Sequence, residues 1–250
     1  MENIKKVAIV TGATLGIGRA IAQKFHDAGM IVVVTGRDGE SAKAVADEID
    51  AGRHTAIGMK ADVRKIADVE SMVKKTADAF GRLNVLVNNA GITRDNLIFN
   101  TTVEDWQEVM DTNLNGPFLC TKYAAREMMH GGWGRIINIS SIAARGGGAG
   151  QASYAASKSG LNALTRVSAV EMGRKNITVN AIAPGSIKTK MSEEFLKKRE
   201  DEIVKKIPLR RVGLPEEIAG IALFLTSEEA SYMTGQIIHV TGGLGVTHKL

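Results

Sequence analysis

Short apolar runs rich in β-branched residues alternate with longer amphipathic stretches along almost the entire chain. Seven runs have the length and composition of strands: Val7–Val10, Ile31–Thr35, His54–Met59, Val85–Asn88, Arg135–Ser140, Ile177–Ile182 and Gln236–Val240. Six stretches have helical spacing: Gly18–Ala28, Glu40–Ala51, Ile66–Phe80, Thr102–Met129, Ala152–Lys175 and Pro215–Ser227. Strands that are apolar throughout are typical of parallel sheets covered on both faces. The alternation therefore predicts an α/β fold, a doubly wound parallel sheet of about seven strands with helices on both faces.

The chain is predicted to form a single domain over residues 1–250, because no linker, repeat or low-complexity segment interrupts the alternation. The longest segment without a predicted strand runs from Gly185 to Leu214, after the sixth strand. Ligands of open α/β sheets bind at the carboxyl edge of the strands, so we expect a substrate-covering loop around residues 186–214. A surface-exposed helical insertion is the alternative.

Composition limits the classes of protein to which the chain can belong. The longest apolar runs are far shorter than the roughly 18 residues of a membrane span, so no membrane association is predicted. Cys120 is the only cysteine, which excludes an internal disulfide and favours a reducing, cytoplasmic location. The histidines are scattered without the spacing of metal ligands, so no metal site is predicted.

The formal net charge of +5 could indicate an acidic partner. The lysines and arginines are nevertheless spread along the chain, as on an ordinary solvated surface. No helix-turn-helix, zinc-finger or RNA-binding signature accompanies them, so nucleic acid is not a predicted partner.

A glycine-rich turn joins the first predicted strand to the first predicted helix. Glycines let the backbone approach a pyrophosphate closely, and the N-terminus of the following helix attracts its negative charge. The turn therefore predicts a Rossmann-type dinucleotide site. The candidate cofactor-binding residues in it are Gly12, Thr14, Leu15, Gly16, Ile17 and Gly18.

The end of the second predicted strand bears on the choice of cofactor. NAD-binding proteins of this kind place an acidic residue there for the ribose hydroxyl, whereas NADP needs room and positive charge for its 2′-phosphate. Gly36 occupies the acidic position and Arg37 follows it. A guanidinium can bind the phosphate, so NADP (NADPH) is favoured over NAD. The alternative is that Arg37 is simply exposed at a strand end.

Four residues are candidates for the chemistry. Tyr154 and Lys158 lie one turn apart on a predicted helix, and a nearby cation stabilises phenolate, so Lys158 is expected to lower the pKa of Tyr154. Ser141 follows the fifth predicted strand, where its hydroxyl can donate to a substrate carbonyl. Asn113 interrupts a helical pattern in which asparagine is unfavourable, which suggests a use for its side chain.

The turn Thr11–Gly18, the sequence Asn88-Asn89-Ala90-Gly91 and the Tyr154/Lys158 pair together resemble the classical short-chain dehydrogenase/reductase family, over nearly the whole chain. The resemblance implies an NAD(P)-dependent oxidoreductase that transfers a hydride between a nicotinamide and a carbonyl or secondary alcohol. It implies that Tyr154 gives the proton, that Lys158 also binds the nicotinamide ribose, and that Asn113 holds a water that passes protons from solvent.

The resemblance also implies further cofactor contacts. The segment after the third strand would contact the adenine, the segment after the sixth strand the nicotinamide and phosphates, and Asn88 would have a mixed role. The residues concerned are Asp62, Val63, Asn89, Ala90, Gly91, Pro184, Gly185, Ile187 and Thr189.

Within the family, the stretches Gly91–Leu97, Ile207–Arg211 and Pro215–Ala219 are similar to those of 3-oxoacyl-[acyl-carrier-protein] reductases. The implied substrate is a carbonyl group on a small molecule or on an acyl carrier protein. Arg174 and Lys175, at a helix end expected near the active site, could dock an acidic carrier.

Other functions stay open. The glycine run at residues 146–148 departs from the pattern of those reductases and leaves room for a dehydrogenase of a small alcohol, sugar or hydroxysteroid. A non-catalytic NADP-sensing regulator on the same fold is a further alternative. The stretches Thr102–Met129 and Ala152–Lys175 are too long and apolar to be covered by one sheet face, and the family uses both in homotetramers, so a homotetramer is predicted.

Overall fold

The structure is a computed structural model that describes residues 5–190 and 192–246. All seven strands belong to one sheet in which every neighbouring pair is parallel, in the order β3-β2-β1-β4-β5-β6-β7. The strands are β1 (Val7–Val10), β2 (Ile31–Gly36), β3 (Ala56–Lys60), β4 (Val85–Asn88), β5 (Gly134–Ile139), β6 (Ile177–Pro184) and β7 (Ile237–Val240). The predicted doubly wound sheet of seven strands is thereby confirmed.

Eight α-helices lie in the described part of the chain: α1 (Gly16–Asp27), α2 (Gly39–Asp50), α3 (Ile66–Phe80), α4 (Val103–Met110), α5 (Gly116–Gly131), α6 (Ala152–Met172), α7 (Glu193–Lys206) and α8 (Pro215–Phe224). Among the described residues, none of these helices combines the length and apolar character needed to cross a bilayer.

The unbroken apolar strands are explained by two cores, one on each face of the sheet. Ala8 and Val10 point into a core with α1, α2 and α8, whereas Ile9 between them points into a core with α3, α5 and α6. Alternate residues of a strand face opposite sides of the sheet, so a strand covered on both sides needs apolar residues at every position.

The predicted start of the third strand at His54 is corrected to Ala56. His54 has a positive φ of 55°, which is incompatible with a strand. The carboxylate of Asp50 accepts the backbone N–H groups of His54 (2.6 Å), Thr55 (2.6 Å) and Ala56 (2.9 Å). These bonds hold the chain in a tight turn until β3 begins.

The prediction of one helix over Thr102–Met129 is also corrected. A π-helical turn at Asp111–Asn115 separates α4 from α5. Pro117 in the first turn of α5 has no N–H to donate to the carbonyl four residues back, that of Asn113, so regular α-helical bonding cannot continue there.

The segment predicted as a loop around residues 186–214 contains α7, so it has regular structure of its own. Its two ends meet beside β6, where Lys188 N–H donates to the Gly213 carbonyl and Gly213 N–H donates to the Ser186 carbonyl, each at 2.9 Å. Ile207 and Val212 of this segment are buried, with Ile203, Val204 and Leu244 packed against them. The segment is therefore anchored at its base next to the carboxyl end of β6.

The turn around Asp50 generates a stability prediction. Burial would raise the pKa of Asp50, but the hydrogen bonds from Thr55, His54 and Ala56 outweigh it and lower the pKa from 3.8 to about 2. Asp50→Asn should lower the free energy of unfolding at pH 7 by about 1–3 kcal/mol, because the three N–H groups, of which that of Ala56 is buried, lose a charged acceptor. Chemical denaturation measures this difference.

Because the folded pKa is depressed, this stabilisation is present above pH 3.8 and is lost as the pH falls towards 2. The difference in the free energy of unfolding between the native protein and Asp50→Asn should disappear over that range. Asp47→Asn is the matched control on the same helix, since Asp47 forms an exposed ion pair with Lys43, and its loss should change the free energy of unfolding far less. An equal loss in both variants would contradict the assignment.

Candidate functional site

A cleft of about 580 Å³ opens at the carboxyl ends of the strands, where the sheet order reverses between β1 and β4. This reversal is where open α/β sheets bind ligands. Eighteen of the residues predicted from the sequence line it: Gly12, Thr14, Leu15, Gly16, Ile17, Arg37, Asp62, Val63, Asn89, Ala90, Gly91, Ser141, Tyr154, Lys158, Pro184, Gly185, Ile187 and Thr189.

Gly18, predicted to bind cofactor, does not line the cleft. A Cβ atom on Gly18 would overlap the Asn89 amide and the Gly12 carbonyl. The absence of a side chain at Gly18 thus permits close packing of α1 against the loop after β4.

Asn89 ties two loops of the cleft together. Its side-chain amide donates to the carbonyls of Thr11 and Gly12, each at 2.9 Å. In return the Thr11 hydroxyl accepts the N–H groups of Asn89 (3.0 Å) and Ala90 (3.1 Å). Asn88 instead points into the interior, where its amide donates to Thr121 and Asn138, and it does not line the cleft.

Asn113 lies in the π-helical turn, fully buried behind the cleft. Its side chain accepts the Ile92 N–H and donates to the Ile92 carbonyl, both at 2.9 Å, and donates to the Ser157 hydroxyl at 3.2 Å. A Cβ on Gly91 would lie 3.3 Å from the Asn113 amide oxygen and 3.5 Å from Lys158 Nζ. Asn113 therefore holds the loop after β4 against α6, close to Lys158.

Tyr154 and Lys158 project from α6 into the same part of the cleft. Lys158 Nζ donates to the Ile139 carbonyl at 2.8 Å and lies 5.7 Å from the centre of the Tyr154 ring. Burial lowers the pKa of the Lys158 amine to about 8. The amine is thus still mostly protonated at pH 7, and its charge is held beside the phenol.

The expected lowering of the Tyr154 pKa is not realised in this structure. Burial raises the pKa of Tyr154, a hydrogen bond with Ser141 opposes that rise, and the charge of Asp95 adds to it. Desolvation of the phenolate is the largest of these effects. A tyrosine of this kind keeps its proton at neutral pH and can donate it.

Ser141 caps the N-terminus of the 3₁₀ turn Ile142–Arg145, two residues after β5 ends. Its hydroxyl oxygen accepts the Ala143 N–H at 3.1 Å, and its side chain lines the cleft and hydrogen-bonds Tyr154. Two hydroxyl groups thus converge where a carbonyl oxygen could accept from both.

At the end of the cleft where the glycine turn lies, two features suit the binding of a dinucleotide phosphate. No side chain caps the N-terminus of α1, so the N–H groups of its first turn are available to an anion. Within residues 5–190 and 192–246, Arg37 makes no hydrogen bond or ion pair and extends into the cleft. The next residue, Asp38, caps α2 through the Glu40 N–H and the Ser41 hydroxyl, so its carboxylate is already engaged.

Several cleft residues escaped the sequence analysis. Arg64 follows Asp62 by two positions and binds its carboxylate. Gln151 hydrogen-bonds Asp95 and accepts the Gly148 N–H at 2.9 Å, which joins the glycine-rich wall to the loop after β4. Ser192 donates to the Ile187 carbonyl at 2.7 Å. In the sequence, the only indication that Arg64, Gln151 and Ser192 belong to the cleft is that each has a polar side chain near a motif residue.

Arg174 and Lys175 are not near the active site within one chain, contrary to the expectation. They form the 3₁₀ turn Gly173–Lys175 after α6, whereas Tyr154 lies in the first turn of that helix. The 21 residues of α6 span about 30 Å. The pair therefore lies at the opposite edge of the sheet, where β6 begins.

Comparison with known proteins agrees with the geometry. A family model described as Enoyl-(Acyl carrier protein) reductase matches residues 12–245. The 3-oxoacyl-[acyl-carrier-protein] reductase FabG of Aquifex aeolicus is 44% identical over 241 residues, 96% of this chain and 97% of that protein. The 3-oxoacyl-[acyl-carrier-protein] reductase of Synechocystis sp. is 46% identical over 241 residues, 96% of each chain.

A third relative is the (2S)-[(R)-hydroxy(phenyl)methyl]succinyl-CoA dehydrogenase subunit BbsD of Thauera aromatica, 40% identical over 238 residues, 95% of this chain and 96% of that protein. Among solved structures, a short-chain type dehydrogenase/reductase from Mycobacterium marinum superposes with a TM-score of 0.93 at 34% identity, covering 98% of this chain and 97% of that one.

Proposed function

The chain belongs to the short-chain dehydrogenase/reductase family, and we propose that it uses NADPH to reduce 3-oxoacyl groups carried on an acyl carrier protein to 3-hydroxyacyl groups, as in fatty acid biosynthesis. The family makes it an NAD(P)-dependent oxidoreductase. The carrier-linked substrate is supported by the FabG relatives, which are 3-oxoacyl-[acyl-carrier-protein] reductases. BbsD, named for a CoA thioester, supports an acyl thioester more generally.

The proposed chemistry rests on one observation. Ser141 and Tyr154 converge beside the buried amine of Lys158 at one end of the cleft, and the glycine turn and Arg37 lie at the other end. The residues from Gly12 to Ile17 would hold the pyrophosphate, and those from Pro184 to Thr189 the nicotinamide end. When bound, the nicotinamide supplies the hydride.

The side chains act on the substrate oxygen. The Ser141 hydroxyl donates to the carbonyl oxygen and orients it, while Tyr154 donates the proton that converts this oxygen into a hydroxyl. The raised pKa of Tyr154 supports its role as an acid, since a protonated phenol is needed for reduction. The positive charge of Lys158 stabilises the phenolate as the proton leaves. Asn113 supports the proton path by holding the loop at Gly91 beside Lys158.

A preference for NADPH is supported by Arg37, directly after β2, which lines the cleft without a hydrogen bond or ion pair to any residue that the structure describes. A guanidinium forms strong charge-assisted hydrogen bonds with a phosphate, and a ribose hydroxyl offers it much less.

We also propose a homotetramer. Apolar side chains remain exposed along the predicted contact helices, including Phe118 on α5 and Val170 on α6, which are 49% and 82% exposed. A twofold axis perpendicular to α6 would pair this helix antiparallel with its copy. Arg174 and Lys175 of one chain would then come close to the cleft of the other, where they could meet an acidic carrier.

The mechanism predicts that Tyr154→Phe lowers kcat for ketone reduction by at least about 10²-fold, because the general acid is lost, while NADPH affinity is nearly unchanged. Tyr232→Phe is the control, since Tyr232 is fully exposed. Steady-state kinetics and NADPH titration measure both effects. Full activity of Tyr154→Phe would remove this residue from the mechanism.

The pH profile follows from the same groups. Reduction needs Tyr154 protonated and Lys158 charged, and Lys158 loses its proton as the pH rises through about 8. We expect kcat/KM for reduction to be level below that pH and to fall above it. A profile that rises through pH 8 would contradict the assigned protonation states.

The cofactor assignment predicts that Arg37→Ala weakens NADPH binding by about 1.5–3 kcal/mol, the range for a hydrogen bond to a charged group, and barely changes NADH binding. Arg53→Ala, at another exposed arginine, is the control. Fluorescence titration of the native protein and both variants with each reduced cofactor measures the six affinities. Equal weakening of both cofactors by Arg37→Ala would show that Arg37 does not recognise the phosphate.

A carrier-linked substrate predicts a strong salt dependence. kcat/KM for a 3-oxoacyl carrier protein should fall about tenfold or more between about 0.02 and 0.5 M salt, and a small free ketone should show little change. Reversing Arg174 and Lys175 to Glu should weaken only the carrier-bound substrate, whereas reversing Arg53 and Arg82 should not. Much faster turnover of a simple secondary alcohol or steroid than of any thioester would replace this substrate assignment.

The assembly proposal predicts a solution mass of four times 26.7 kDa at micromolar concentration. Val170→Glu should reduce that mass by placing a charge in the contact. Ile66→Glu is the control, because Ile66 is 56% exposed on α3, outside the proposed contact. Light scattering measures all three proteins. A monomeric native protein would rule out the assembly.

A further inference from the structure

We propose that Arg64 is a second determinant of the NADPH preference, and that it acts by holding the Asp62 carboxylate so that Arg37 stays free for the 2′-phosphate. The inference rests on the NADPH preference proposed above and adds a residue that need not touch the phosphate itself.

Arg64 engages both oxygens of the Asp62 carboxylate. Its Nε donates to Oδ1 at 2.9 Å and to Oδ2 at 3.1 Å, and its Nη2 donates to Oδ2 at 2.6 Å. The backbone N–H of Arg64 also donates to Oδ1, at 3.1 Å. Each carboxylate oxygen accepts about two hydrogen bonds, so Arg64 uses most of the acceptor capacity of Asp62.

The other side of the Arg64 guanidinium is anchored to α4. Its Nη1 lies 3.5 Å from Oε1 of Glu108, and Oε2 of the same carboxylate accepts Arg94 Nη2 at 2.7 Å. Arg64 is thus held from two directions and is only partly exposed. This arrangement keeps the pair with Asp62 formed in a cleft that is open to solvent.

Arg37 is the cation that Asp62 would otherwise attract. Arg37 follows β2 and Asp62 follows the paired strand β3, and the two segments are joined by the Ala61 N–H bond to the Gly36 carbonyl at 2.8 Å. Both side chains line the same end of the cleft, and the charge of Arg37 contributes to the lowered pKa of Asp62, after the larger contribution of Arg64.

Two consequences follow for a 2′-phosphate. An unpaired Asp62 carboxylate would repel the phosphate, and it would compete with the phosphate for the Arg37 guanidinium. The bidentate bond to Arg64 neutralises that charge and occupies its oxygens. NADH carries no such phosphate, so its affinity depends much less on whether Asp62 is neutralised.

The test is a mutant cycle on cofactor affinity, with NADPH and NADH titrated separately into the full-length protein. Arg64→Gln should raise the Kd for NADPH about tenfold or more, and that for NADH by less than about threefold. The double variant Asp62→Asn with Arg64→Gln should recover most of the NADPH preference, because no carboxylate is left to compete. Arg94→Gln is the control, since Arg94 shares Glu108 but does not contact Asp62.

The results of this mutant cycle distinguish the different ways in which the proposal could be wrong. If the native protein binds both cofactors equally, the proposed NADPH preference itself is wrong. If it prefers NADPH but Arg64→Gln weakens both cofactors alike, Arg64 serves only the fold of the site. If the double variant stays as weak for NADPH as Arg64→Gln, then Arg64 binds the phosphate directly and the proposed route through Asp62 is overturned. Thermal melting confirms that each variant is folded.

Discussion

The side chains of Thr11 and Asn89 hold together the two loops between which the cleft opens. Parallel strands place all their carboxyl ends at one edge, but the loops after β1 and β4 diverge there because the chain reverses its direction of winding. The reciprocal bonds between the buried Thr11 and the partly buried Asn89 connect the two loops across that divergence. The glycine turn and the loop that reaches Asn113 both take their positions from this connection.

Much of the architecture was predictable because it depends on local chemistry. Strands covered on both faces need apolar residues throughout, and a turn that approaches a phosphate needs glycine, so both appear as contiguous patterns. The four candidate catalytic residues were found for a similar reason, since each is chemically conspicuous at a strand end or in a helix. Three of them line the cleft, and Asn113 supports it from behind.

What escaped prediction depends on distances through space. The sequence places an aspartate six residues before Ala56, but it does not reveal that the Asp50 carboxylate delays the start of β3. The spacing of Tyr154 and Lys158 was correct, yet the sign of the Tyr154 pKa shift depends on how deeply the pair is buried. Arg174 and Lys175 were misplaced because a helix end was equated with the active-site side, although α6 carries its two ends to opposite edges of the sheet.

The π-helical turn at Asp111–Asn115 limits changes in the number of residues between α4 and α5. It accommodates one residue more than a regular turn would, and that residue changes the direction in which the rest of the helix faces. Deleting a single residue there would remove the wide turn, yet it would rotate α5 by about 100° and turn Cys120, Ala124 and Met128 away from the core they share with α3. Relatives of this protein should therefore tolerate substitutions around the turn far more readily than changes in its length.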